Sequence, residues 1–71
     1  MELGGVKVKV ITYPNGEYRL GAPATIIDEG SFYRVDGTHI FDKFKIKEVH
    51  ETDGKVEIQM TDRTVILEIQ Q

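Results

Sequence analysis

Four dipeptides ending in glycine, Asn15-Gly16, Glu29-Gly30, Asp36-Gly37 and Asp53-Gly54, divide this chain into short pieces. Asn-Gly and Asp-Gly accept the positive backbone angles of tight hairpin turns, so a chain punctuated this way builds short strands rather than long helices. The residue types agree. Val and Ile supply 15 positions and Thr six, whereas Leu and Ala together supply five, which is a β composition. The expectation is an all-β fold. Residues 1–71 form one small domain, an antiparallel barrel or sandwich of six to seven short strands.

Residues 6–10 alternate Val6, Val8 and Val10 with Lys7 and Lys9, which predicts a first strand with one apolar and one cationic face. A hairpin turn follows at Tyr13-Pro14-Asn15-Gly16. Strand two covers residues 17–20 and is broken by Gly21-Ala22-Pro23. Residues 24–28 make a third strand whose Thr25, Ile26 and Ile27 do not alternate cleanly, as expected where both faces are covered. Residues 31–36 are the fourth. The long stretch 38–53 reads as strand, with Phe44 and Ile46 alternating with Lys43, Lys45 and Lys47, and with one short helical turn near residues 39–43. Val56, Ile58 and Met60 alternate with Lys55, Glu57 and Gln59, and Asp62-Arg63 turns the chain into a last strand at residues 65–69. Phe32, Phe41 and Phe44 are the aromatics expected inside.

The chain holds 71 residues and no cysteine, so neither disulfides nor a thiolate-bound metal supports a core this thin. Association would bury further surface. The last strand carries Val65, Leu67 and Ile69 on one face and Ile66 on the other, and a strand apolar on both faces must be central in its sheet or covered by a second chain. Val65, Ile66, Leu67 and Ile69 are therefore the candidate interface with a second copy or a protein partner, and a homo-oligomer is expected.

Chemistry is sparse. His39 has Asp36 and Asp42 nearby and His50 has Glu51 and Asp53, but neither arrangement carries metal-ligand spacing. Ser31, His39 and Asp36 lack the sequence context of a nucleophile, and the glycines form no phosphate-cradling loop. No catalysis, metal or cofactor is expected. No apolar run approaches the roughly 18 residues of a membrane span, and the N-terminus lacks the order of a signal peptide, so a cytoplasmic chain without membrane contact is expected.

Nine Lys and Arg against twelve Asp and Glu leave a net charge of −3, which argues against a nucleic-acid binder that uses its whole surface. Two lysine rows stand out all the same: Lys7 and Lys9, and Lys43, Lys45 and Lys47, each with ammonium groups about 7 Å apart on one strand face. If those strands were neighbours the rows would fuse; otherwise glutamates opposite them would give a solvated, mixed face. Two functions follow. The first is a non-catalytic β module that works by protein–protein contact and self-association, as an adaptor, inhibitor or assembly component. The alternative is a small nucleic-acid-binding barrel, with the five lysines on phosphates and Tyr13, Tyr18 or Tyr33 stacked on bases.

Overall fold

The computed structural model describes residues 2–70. In chain order the elements are β1 (Lys7–Tyr13), β2 (Gly16–Thr25), β3 (Ile27–Asp28), β4 (Phe32–Val35), β5 (His39–Asp42), a 3-10 turn η1 (Lys43–Lys45), β6 (Ile46–Thr52), β7 (Lys55–Met60) and β8 (Thr64–Ile69). They form two antiparallel sheets in a sandwich-like arrangement, one of five strands in the order β2-β1-β8-β7-β6 and one of three in the order β3-β4-β5. Two crossings join the sheets. At the first, buried Ile26 separates β2 from β3 and bonds through its backbone to Val6 and Gly5. At the second, η1 separates β5 from β6.

The core lies between the sheets. The five-stranded sheet contributes Val8, Ile11, Val56, Ile58, Met60, Val65 and Leu67, and the three-stranded sheet contributes Val35 and Phe41. Leu3 and Ile26 close it near the first crossing.

The glycine turns work by two routes. Asp53-Gly54 joins Thr52 to its partner Lys55 with both turn residues at positive φ, 50° and 77°, the signature of a type I′ hairpin. Asp36 and Gly37 also take positive φ, 52° and 77°. Tyr13 instead pairs with Gly16, so Pro14 and Asn15 are the central residues of the first hairpin. Neither Asn15 nor Gly16 has positive φ; the turn follows from Pro14, which presets φ, and not from an Asn-Gly step.

Several elements differ from the sequence expectation. The register of β1 against both neighbours shifts between Val8 and Val10. This bulge at Lys9 reverses the alternation. Val8 and Ile11 enter the core, while Val10 pairs with Glu68 on the outer face, where it is buried outside the core cluster. The apolar and cationic faces expected of β1 therefore hold only for its start. β2 is not brief. It runs for ten residues, and because Arg19 pairs with Val10 and Ala24 with Val8, Leu20-Gly21-Ala22-Pro23 forms a wide bulge opposite Lys9, with Leu20 packed against the core. Pro23 is tolerated there because β2 is an edge strand.

The helical turn comes later than expected: residues 39–42 are strand and η1 occupies 43–45. Here the chain is crossing between sheets, so the strand alternation assumed for Lys43, Phe44 and Lys45 is lost. Phe44, expected inside, is 79% exposed, and Phe32 is only half-buried.

Candidate functional site

The two sheets present very different outer faces. On the five-stranded sheet, cross-strand pairing lines up Arg19, Val10, Glu68, Lys55 and Thr52 in one row, and Glu17, Thr12, Ile66, Glu57 and His50 in the next. Opposite charges face each other, as in Lys55 and Glu68, so this is a solvated mixed face around Ile66. Its two edge strands carry a proline loop in β2 and the charges Lys47, Glu48 and Glu51 in β6, features that discourage pairing with another sheet.

The outer face of the three-stranded sheet is apolar at its centre. Ile27 pairs with Arg34 and Arg34 with Ile40, which places the three side chains in one row. Both isoleucines are large exposed apolar groups, at 43% and 45%. Phe32 and Asp42 form the next pair on this face. Arg34 is neutralised in place, its Nε donating to Glu29 Oε2 at 2.8 Å. Phe44 follows on η1, just beyond Asp42, and Lys43 N–H anchors that turn to the Ser31 carbonyl at 3.0 Å.

The terminal strand β8 lies between β1 and β7, so it is central in its sheet. Val65 and Leu67 are fully buried in the chain's own core, and Ile69 packs against that core. A folded chain thus offers a partner none of Val65 or Leu67. Of the four expected interface residues, Ile66 alone points outward, among the charges of the mixed face.

The two lysine rows do not fuse. β1 and β6 are separated by β8 and β7, about 14 Å at normal strand spacing. Lys43 and Lys45 sit in η1 rather than on a strand face, and each meets a carboxylate: Lys43 Nζ is 2.7 Å from Asp28 and Lys45 Nζ is 3.7 Å from Asp62. Lys7, Lys9 and Lys47 are exposed; the last two occupy strand irregularities.

The tyrosines gather at the two open ends of the slot between the sheets. At the end nearest η1, the Tyr33 ring lies under Lys43, with Nζ 4.8 Å from its centroid, and Asp28 neutralises that ammonium. The bond from Lys43 and the Gly30 amide hold the Asp28 carboxyl below its ordinary pKa, and Asp28 in turn raises that of Lys43.

The opposite end is formed by the β1–β2 hairpin, by the start of β5 and by the β7–β8 turn. Tyr13 lies 2.7 Å through its hydroxyl from His39 Nδ1, and Tyr18 meets Tyr13 and His39 edge-on with centroids 5.5 and 5.2 Å apart. Burial raises the pKa of Tyr13, which keeps the phenol protonated and able to donate. The Arg63 guanidinium lies 5.0 Å from the Tyr13 centroid and 5.9 Å from that of Phe41. Tyr13, Asn15, Tyr18, His39 and Arg63 line a depression of about 240 Å³.

Arg63, Asn15 and His39 were not legible as a group. Arg63 looks like an ordinary turn residue, and only the packing of the turn against β1 and β5 brings it over the rings. Ser31 and His39 lie toward opposite ends of β5, since Ser31 bonds to Lys43, so the Ser31, His39 and Asp36 grouping is not assembled. Among the described residues no group of three His, Cys, Asp or Glu side chains could hold a metal ion, and no helix is long and apolar enough to cross a membrane. No protein-family model matches the chain, and neither curated proteins nor solved structures provide a match.

Proposed function

We propose that the protein is a non-catalytic β module that acts by protein–protein contact, and that its first contact is with a second copy of itself through the outer face of the three-stranded sheet. The observation carrying this reading is the row Ile27, Arg34, Ile40, in which two exposed isoleucines flank a neutralised arginine. A two-fold contact requires a patch that complements itself. This one carries both signs of charge, Arg34 and Glu29, between apolar flanks, so rotation about a two-fold axis sets arginine against glutamate and isoleucine against isoleucine.

A standard interface takes about 800 Å² from each partner, close to a fifth of this chain's 4375 Å². Such an area requires the whole face and draws in Phe32 and exposed Phe44 at its end. Burying a phenylalanine contributes about 1.5–3 kcal/mol, which makes Phe44 the largest single apolar gain on offer.

Light scattering at micromolar concentration tests the proposal. The wild-type chain is expected at twice the monomer mass, and the Ile27→Lys, Ile40→Lys double variant at the monomer mass with an unchanged circular dichroism spectrum. A monomeric wild-type chain overturns it.

A further inference from the structure

The Arg63 end of the inter-sheet slot has the composition of an anion site. Arg63 makes no ion pair among the described residues, and its Nε is shielded from solvent without a hydrogen-bond partner. The guanidinium is held instead by the Tyr13 and Phe41 rings and by its turn, where Met60 N–H donates to the Arg63 carbonyl at 2.8 Å. A cation fixed by ring faces needs no carboxylate to orient it, so its charge is available to a ligand.

The lining residues are Tyr13, Asn15, Tyr18, His39 and Arg63, none of them acidic. Asn15 and Arg63 bring N–H donors, Tyr18 a hydroxyl and His39 its imidazole edge. Tyr18 adds a second property, because it is 52% exposed and rigidly buttressed edge-on by Tyr13 and His39. An exposed, supported aromatic ring beside an unneutralised guanidinium suits a ligand that combines an oxyanion with a planar ring.

We propose that this mouth binds a nucleotide unit, its phosphate on Arg63 with Asn15 as a further donor, and its base stacked on Tyr18. A depression of about 240 Å³ falls below the roughly 300–1,000 Å³ of pockets that enclose drug-sized ligands, so it seats the phosphate and one face of the base, and the rest of the nucleotide, like any neighbouring units of a strand, lies outside. The site goes beyond the self-association reading and stands apart from it, since His39 faces the slot while Ile40 faces outward.

The experiment is a titration of the full chain followed by NMR on the Arg63 Nε–H and the tyrosine ring signals, using adenosine monophosphate, adenosine, inorganic phosphate, acetate and a short single-stranded oligonucleotide. Adenosine monophosphate is expected to shift Arg63 and Tyr18 together, and more tightly than adenosine, phosphate or acetate. Tyr18→Ala is expected to weaken binding about ten- to a hundredfold. Arg63→Met, which removes the guanidinium and keeps an unbranched apolar side chain, abolishes it. An oligonucleotide binding more tightly than the mononucleotide makes a strand the natural source of the phosphate; equal or weaker binding makes it a free nucleotide. Failure of adenosine monophosphate to shift Arg63, equal binding by Arg63→Met, or equal affinity for phosphate or acetate alone overturns the proposal. Monomeric or dimeric mass has no bearing on any of these outcomes.

Discussion

The five-stranded sheet is apolar on one face and the three-stranded sheet on both. The large sheet sends seven residues into the core and shows solvent paired charges around Ile66. The small one sends Val35 and Phe41 inward yet leaves Ile27 and Ile40 outside. A sheet covered on one side carries apolar residues on one side. The second apolar face of the small sheet is therefore the part of the molecule without a partner inside its own fold, and it is also the sheet held by the fewer core contacts.

The largest expected effect comes from removing the ring that holds the small sheet. Phe41→Ala should cost about 3–5 kcal/mol by denaturant unfolding. Hydrogen exchange should show β4 and β5 losing protection while β7 and β8 retain theirs, because the large sheet keeps its own buried rows. Simultaneous loss in both sheets would break the distinction between a self-supporting sheet and a dependent one.

Next is the bond that ties the sheets together at one end of the slot. Tyr13→Phe deletes the 2.7 Å contact with His39 and should cost about 0.5–1.5 kcal/mol, with the His39 ring signals moving and those of Tyr33 unchanged.

At the other end the ion pair is Asp28 with Lys43, which joins β3 to η1 rather than one sheet to the other. Because the folded Asp28 pKa is lowered, chiefly by the Lys43 hydrogen bond, its stabilisation is present above the ordinary carboxylate value and lost as pH falls through the lower folded one. The Lys43 pKa is raised by the same bond, so that contribution is full below the ordinary lysine value and lost as pH rises through the higher folded one. Asp28→Asn should flatten the stability curve at both extremes. The effect should be small, since both side chains are about a third exposed.

The smallest effect belongs to the mixed face. Ile66→Lys should alter stability by no more than about 0.5 kcal/mol and leave the mass unchanged by light scattering. A shift to lower mass would move the docking surface to the large sheet.

Much of the fold is written in local pattern. Asp53-Gly54 dictates its hairpin, and the alternation of Val56, Ile58 and Met60 sets which face of β7 is buried, because both depend on residues a few positions apart. The two-sided apolar character of residues 24–28 and 64–69 is equally visible. Which of these strands hides its second face is a matter of strand order, and that is set by pairings between distant segments: β8 finds β1, its partners 54 to 61 residues away in the chain, and becomes central. The bulge at Lys9 is likewise silent in Val8-Lys9-Val10, whose spacing suits an unbroken strand, until two neighbours impose a shifted register. Arg63 escapes for the same reason, since its partners Tyr13 and Phe41 belong to other elements.

A dilution series followed by NMR tests the central claim residue by residue. As the chain is diluted from millimolar to micromolar concentration, the signals of Ile27, Arg34, Ile40 and Phe44 should move together along one binding curve, while those of Ile66 and Lys55 stay in place. Shifts centred on Ile66, or no concentration dependence at any of these positions, would contradict the assignment of the docking face to the three-stranded sheet.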